Sequence, residues 1–281
     1  MKTVAIKGIG GSFHDQAAQQ QFGKYSPKYC NDFFEIVETV SKGLTEYGLM
    51  AIENSLVGSI LDNYNLLRDN LVEIVGEQYL QVDHNLLALP GQQLDNIEIV
   101  ISHEMALRQC KNFLDASAIK SRQPFVDTAS AAKHIGDNRI KGIASIGSIH
   151  AAKNYGLEVL SSKIQDSGLN YTRFLVIQKS QTSGLNVKEN KATIIFSVEN
   201  EPGRLAVALN LMDRKGINLT KIESVPQPNN LGKFDMITDL ELPAGGNFQQ
   251  VLPELYQVVD QIKVLGIYPR AIEPWNTDQN D

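Results

Sequence analysis

The chain has 281 residues, 42% of them hydrophobic and 21% charged, with a formal net charge of −6. That is an ordinary globular composition, long enough for about two domains at roughly 100–200 residues each. The charge argues against a nucleic-acid phosphate binder, which would carry a basic face, but not against a small anion held by a few local cations.

No stretch approaches the roughly 18 apolar residues of a membrane span, and the run Val4-Ala5-Ile6 is too short for a signal-peptide core. Two cysteines, Cys30 and Cys110, offer neither a disulfide framework nor a metal-ligand spacing, and the five histidines are scattered. No metal, nucleic acid or membrane partner is expected, and the cytoplasm is the expected location.

Val4–Ile6 predicts a short buried strand that runs into Gly8-Ile9-Gly10-Gly11-Ser12 and then a helix over His14–Phe22. Ser12 and Asp15 are spaced as a capping-box-like start. Glycines permit a tight turn, and free N–H groups at a helix start attract an anion, although a turn with no ligand fits the same residues equally well. Phe13 stands where a dinucleotide fingerprint needs its third glycine, and no Gly-Lys-Ser/Thr follows, which disfavours nucleotides.

Leu49–Ile52 is the next apolar run and ends abruptly in Glu53-Asn54-Ser55 and Gly58. Polar groups at the carboxyl end of a strand stand where open α/β sheets bind ligands; Asn54 or Ser55 capping a helix is the plainer alternative. Ile97–Ile101 repeats the pattern, leading to Ser102-His103-Glu104 and a helix with Ala106, Leu107, Cys110 and Leu114 on one side. His103 reads as a helix cap or a site residue, and Cys110 as a buried small hydrophobe and not a nucleophile.

Phe125-Val126 leads to Asp127-Thr128-Ala129-Ser130, and Ile143–Ser148 precedes Ala151-Ala152 and Tyr155-Gly156-Leu157. Residues 166–177 begin as a polar turn and end as an apolar strand, so Asn170, Thr172 and Arg173 stand at a loop-to-strand junction. In an extended strand Thr172 and Phe174 share one side and Arg173 takes the other. Apolar runs alternating with helical segments predict an α/β fold with a largely parallel sheet. The late return to a strand predicts two lobes with a cleft.

The polar stretch from Ser180 to Lys191 reads as a linker, bounded at 181–190. Beyond it come a strand at Ala192–Val198 and a helix opened by Pro202-Gly203, with Leu205, Ala208, Leu209 and Met212 at helical spacing. Strands at Ile217–Val225 and Lys233–Leu242, a helix within Phe248–Ile262 and a strand near Val264–Tyr268 complete a βαββαβ order over 191–272, with 273–281 as a tail. Pro253 places the start of that last helix near itself.

Taken in order, these stretches resemble the motifs of the prephenate dehydratase family. Gly8, Gly11, Ser12 and Phe13 match its opening Gly-x-x-Gly-Ser/Thr-Phe-Ser, with His14 in place of the last serine. Glu53-Asn54-Ser55-x-x-Gly58 is complete. Ser102, His103, Ala106, Leu107, Gln109 and Cys110 match Ser-His-Pro-Gln-Ala-Leu-x-Gln-Cys, with Glu104 and Met105 replacing Pro-Gln. Asp127-Thr128-Ala129-x-Ala131 and Asn170-x-Thr172-Arg173-Phe174 follow, and the last 80 or so residues resemble an ACT domain, a βαββαβ (ferredoxin-like) module.

The resemblance implies a two-lobed, periplasmic-binding-protein-like catalytic domain over 1–180 that converts prephenate to phenylpyruvate, carbon dioxide and water, without a cofactor. It implies catalytic roles for Thr172, Arg173, Phe174 and Glu53: a hydrogen bond to the leaving hydroxyl, a carboxylate partner, an apolar wall and a proton source. It implies substrate contacts from Ser12, Asn54, Ser55, Ser102, His103, Thr128, Ala129 and Asn170.

In the C-terminal module, Gly203-Arg204-Leu205-Ala206 and Glu223-Ser224-Val225-Pro226 resemble the family's Gly-Ala-Leu-Ala and Glu-Ser-Arg-Pro. These residues imply a site for L-phenylalanine or another amino acid at the interface of a homodimer or homotetramer. Val225 lacks the guanidinium of the family arginine, so a dimerisation module with no effector stays open. Arogenate dehydration is the alternative within the enzyme class, and a non-catalytic two-lobed sensor the alternative outside it.

Overall fold

A computed structural model describes residues 1–180, 189–227, 230, 232–243 and 246–274. The chain divides into two compact units. The first comprises Met1–Ile36, Gly48–Ser59 and Tyr79–Phe174; the second comprises Val37–Tyr47, Ile60–Gln78 and Leu175–Asp281. The division falls inside several elements and does not follow a single cut after residue 180.

In chain order the first part runs β1 (Thr3–Lys7), α1 (Phe13–Phe22), β2 (Ser26–Cys30), α2 (Phe33–Ser41), β3 (Tyr47–Asn54) and the short β4 (Gly58–Ser59). It continues through α3 (Leu61–Asp69), β5 (Val72–Gln81), β6 (Asn85–Ala88), β7 (Ile99–Ser102), α4 (Glu104–Gln109) and α5 (Lys111–Ala116). Then come β8 (Ser121–Pro124), α6 (Thr128–Asn138), β9 (Ile143–Gly147), α7 (Ile149–Asn154), β10 (Glu158–Ser161) and β11 (Tyr171–Lys179).

The first unit holds two sheets. One brings β2, β1, β3 and the start of β11 side by side, with β1 and β2 parallel. The other has the order β10-β6-β9-β7-β8. There β7 runs parallel to β8 and β9, joined through helices, whereas β6 is antiparallel to β9 and β10. The sheet is therefore mixed, where the sequence suggested a largely parallel one. Helical crossovers return the chain in the same direction, but β6 is fed from β5 through a short connection with no helix.

Strand alternation builds the two faces of this second sheet. Leu86 and Ala88 turn toward Leu107, Cys110 and Leu114 of α4 and α5, while Leu87 turns toward Ala131, Ile135 and Ala151 of α6 and α7. Burying each Leu or Ile contributes about 1.5–3 kcal/mol. Asp127 and Ser148 cap α6 and α7, their side chains accepting the N–H of Ser130 and Ala151.

The second unit contains the βαββαβ run: β12 (Lys191–Ser197), α8 (Arg204–Arg214), β13 (Asn218–Pro226), β14 (Phe234–Glu241), α9 (Phe248–Leu255) and β15 (Gln261–Tyr268). Its strands lie in the order β13-β14-β12-β15, all antiparallel, and β15 meets β5 in parallel at Gly266 and Ile74. One face carries Ile194, Phe196 and Leu240 against Ala208 and Met212 of α8 and Phe248 and Leu255 of α9.

Two expectations are corrected here. Helix α9 starts at Phe248 and contains Pro253 in its last turn. A proline there costs about 3 kcal/mol, but Phe248, Val251 and Leu255 are all buried on one side and together outweigh it. Lys191 is not a linker residue: it opens β12, is 1% exposed, and sits between Glu77 at 2.9 Å and Glu241 at 3.3 Å. The remainder of the predicted linker, 181–188, and the tail from residue 275 lie outside the described residues. No helix among the described residues is long and apolar enough to cross a membrane.

Candidate active site

Thr172 is the second residue of β11, and its neighbours orient it. The Asn54 side-chain amide donates to Thr172 Oγ1 at 3.0 Å and lies 2.8 Å from Asn170 Oδ1 and 3.1 Å from the Tyr171 carbonyl. Asn54 Oδ1 accepts the N–H groups of Leu56 and Val57 at 3.0 and 3.2 Å. That Asx turn fixes which end of the amide is which, since reversing it would set N–H against N–H.

The order passes inward. Asn170 is 1% exposed and donates to Gln109 Oε1 at 3.2 Å. The same oxygen lies 2.9 Å from His84 Nε2, so Nε2 carries the proton in this arrangement. His84 is buried, and burial holds its pKa below the ordinary histidine value. Ser55 straps the two strands together: its hydroxyl donates to the Leu169 carbonyl at 2.7 Å and accepts the Tyr171 N–H at 2.9 Å.

β11 is a regular strand, so Arg173 turns away from the Thr172 side. It is 4% exposed, and its Nη1 lies 3.6 Å from Glu53 Oε2, on a carboxylate that is 41% exposed. Adjacent strands thus pair in phase: Asn54 with Thr172, and Glu53 with Arg173. Phe174 is buried on the Thr172 side, edge-on to His14 with ring centroids 5.1 Å apart.

The loop after β1 reaches both groups. Phe13 stands edge-on to His84 at 5.4 Å. Ser148 and Tyr155 hydroxyls donate to the Gly11 and Gly10 carbonyls at 2.6 and 2.5 Å. Gly11 has φ +85°, and a Cβ there would stand 2.7 Å from Ala151 Cα, so the close approach requires glycine. Ser12 caps α1 by accepting the Asp15 N–H at 3.1 Å. The Asp15 carboxylate does not complete a capping box; it takes the Gly11 N–H at 2.7 Å and the Tyr25 hydroxyl.

Some of the expected residues stand elsewhere. Ser102 is fully buried and its hydroxyl donates to the Ile146 carbonyl at 2.7 Å, which spends it on holding β7 to β9. Ala129 is fully buried in helix packing, and Thr128 is the first residue of α6. His103 is exposed and caps α4, its Nδ1 accepting the Met105 N–H at 3.3 Å. Cys110 is buried, and burial pushes its thiol up to about 12, the state of a packing residue.

His84 is the residue the sequence did not offer, because it stands in a short connection with no motif around it. Gln109 had a signal, its place in the Ser-His-x-x-Ala-Leu-x-Gln-Cys run. Among the described residues no cluster of His, Cys, Asp or Glu is placed to hold a metal ion.

In the second unit Gly203 caps α8 with φ +88°, and Arg204 pairs with Glu199 at 3.4 Å. Leu205 packs partly buried against the core, while Ala206 is exposed. Glu223 accepts from Lys221 at 2.9 Å on β13, where Ser224 is exposed.

The prephenate dehydratase family pattern matches residues 4–182. Arogenate dehydratase/prephenate dehydratase 2, chloroplastic, of Arabidopsis thaliana is 36% identical over 276 residues, spanning 95% of this chain and 72% of the relative. Among solved structures, GqqA, a novel type of quorum quenching acylase, superposes with a TM-score of 0.87 at 28% identity over 98% of this chain and 99% of that one. The prephenate dehydratase of Arthrobacter aurescens in complex with L-Phe gives 0.82 at 25% identity, over 96% and 90%.

Fold and comparisons together define a lyase of aromatic amino acid biosynthesis. The chain belongs to the prephenate dehydratase family. Its activity is the decarboxylating dehydration of prephenate to phenylpyruvate.

Proposed function

We propose that Thr172 is the group that assists departure of the ring hydroxyl. The carboxylate on the quaternary ring carbon leaves as carbon dioxide, its bonding electrons complete the aromatic ring, and the opposite C–O bond breaks. The departing hydroxide needs a proton and, before that, a hydrogen bond. The observation carrying this reading is the Asn54 amide N–H directed at Thr172 Oγ1, which leaves the hydroxyl proton for the substrate. One well-placed donor of this kind is worth roughly 10²–10³ in rate.

In this reading Asn54, Asn170 and Ser55 position Thr172, and Arg173 with Glu53 braces the strand ends from the other face. Phe174 walls the ring from water, and the backbone N–H groups at the start of α1 receive a carboxylate where the Ser12 hydroxyl is already engaged. The two sheets of the first unit act as lobes closing on the substrate. An acylase reading, suggested by the likeness to GqqA, needs a base that takes a proton from a nucleophile or water. The side chain facing Thr172 Oγ1 is an N–H donor and takes none.

For the C-terminal part, the βαββαβ order and the β13-β14-β12-β15 arrangement support an ACT module over 191–272, following a catalytic domain over 1–180. We infer that it pairs with a second copy and binds an amino acid at the interface, as the Arthrobacter aurescens enzyme's complex with L-Phe suggests. The enzyme works in the cytoplasm in this account. The test is to supply prephenate, arogenate and an acylamide side by side. The account expects turnover of prephenate with phenylpyruvate as product; turnover of the acylamide alone would replace it.

A further inference from the structure

His14 departs from the serine of the family's opening motif, and nothing so far has given it a task. Its Nε2 is closed off from solvent and has no hydrogen-bond partner. A buried polar atom left in this state is unfavourable unless a ligand completes it. The ring cannot easily turn to find another partner: it stands edge-on to Phe174 with centroids 5.1 Å apart and tilted against Phe33 at 5.6 Å.

The position is also informative. Phe174 and Thr172 are two residues apart on β11 and share a face, so His14 stands on the side of the strand that carries the Thr172 hydroxyl. It lies in the first turn of α1, two residues after the Ser12 cap. Lys7 places its ammonium 4.8 Å from the Phe33 ring centroid, the same ring that His14 touches. Burial, and after it the Lys7 charge, hold the imidazole neutral with a pKa of about 3. A neutral imidazole beside a fixed cation offers an N–H to an oxygen. The same field repels an ammonium group.

We propose that His14 Nε2–H receives the 2-oxo group of the substrate side arm, and that His14 with Lys7 selects the 2-oxo acid prephenate over its 2-amino counterpart arogenate. This rests on Thr172 being the centre of turnover. His14 is a specificity residue in this scheme and takes no part in proton transfer to the leaving group.

The experiment compares kcat/KM for prephenate and arogenate in the full-length protein and in His14→Phe, which keeps the aromatic packing but removes both nitrogens, and His14→Gln, which restores a donor. Wild type should favour prephenate. His14→Phe should lower the prephenate-to-arogenate ratio at least tenfold, mainly through KM for prephenate, with His14→Gln intermediate. An unchanged ratio, or a wild type that favours arogenate, overturns the proposal while leaving the lyase reading intact. A wild type that turns over neither substrate overturns the lyase reading and this proposal with it. A second measurement needs no variant to fold: in wild type, titration with phenylpyruvate should move the His14 Nε2 nitrogen resonance, whereas L-phenylalanine at equal concentration should not. Equal response to both, or no response to phenylpyruvate, also overturns it.

Discussion

Asn54 and Thr172 lie 118 residues apart in the chain and share a hydrogen bond whose direction is fixed. The Asn54 oxygen is held by two backbone N–H groups, so its nitrogen must face Thr172. The Thr172 oxygen accepts, and its proton points elsewhere.

Reversing that polarity should disable the site without unfolding it. Asn54→Asp keeps the oxygen that serves Leu56 and Val57 but replaces the donor with an acceptor, toward which Thr172 would turn its proton. The expected loss in kcat is about 10²-fold, the worth of one directed donor, with an unchanged circular dichroism spectrum. A kcat within twofold of wild type would show that the direction of this bond is immaterial.

Gln109→Leu tests the inner end of the chain of amides. It strands two buried donors, His84 Nε2–H and the Asn170 amide, each at about 1–3 kcal/mol. The midpoint of thermal unfolding should fall by roughly 2–4 °C per kcal/mol for a domain of this size. Adding His84→Phe should recover part of the loss, because one stranded donor is then removed. Scanning calorimetry on the single and double variants reads this directly.

The two buried histidines predict an acid limit. Both have folded pKa values below the unfolded value of about 6.5, His14 at about 3. In the interval between, the unfolded chain binds more protons, so stability rises with pH. Their contribution is fully present above about pH 6.5 and is lost as pH falls toward 3, at up to about 1.4 kcal/mol per pH unit for each histidine. Urea titrations from pH 7 to 4.5 should show this slope, and His14→Phe should flatten it. A slope equal in wild type and variant would exclude His14 as its source.

Lys191 closes a buried ion cluster in the second unit. It contacts Glu77 and Glu241, and Glu77 also accepts the Ala271 N–H at 3.1 Å. Lys191→Met leaves two enclosed carboxylates without their cation and should cost about 3–5 kcal/mol. Lys191→Met with Glu77→Leu should recover much of it, since buried ion groups are often replaceable by apolar ones of similar volume. Thermal unfolding of the pair measures both.

Much of the first unit was legible because its strands end in polar clusters at family spacing. Glu53-Asn54-Ser55 and Asn170-x-Thr172 were identifiable as neighbours in function before any geometry was known. Period-two alternation further anticipated that Arg173 faces away from Thr172, and Glu53 on the adjacent strand in phase completes that pair. Ser102 was misassigned because a serine after a buried strand reads alike whether its hydroxyl serves a ligand or, as here, the Ile146 carbonyl.

His84 and Lys191 were illegible for a different reason. Each owes its role to partners distant in sequence, Gln109 in one case and Glu77 in the other, and carries no local pattern that reports them. Lys191 in particular follows a polar stretch and looks solvated, until the strand it opens is packed. Pro253 misled through an opposite fault: a strong local rule was overridden by the buried side of α9.

The most direct test of the account is release of phenylpyruvate from prephenate at neutral pH by wild type and Thr172→Ala, beside a control without enzyme, since prephenate aromatises unaided in acid. The account predicts rapid wild-type turnover and a kcat lowered about 10²–10³-fold in a folded Thr172→Ala protein. Native kinetic constants in Thr172→Ala would contradict it.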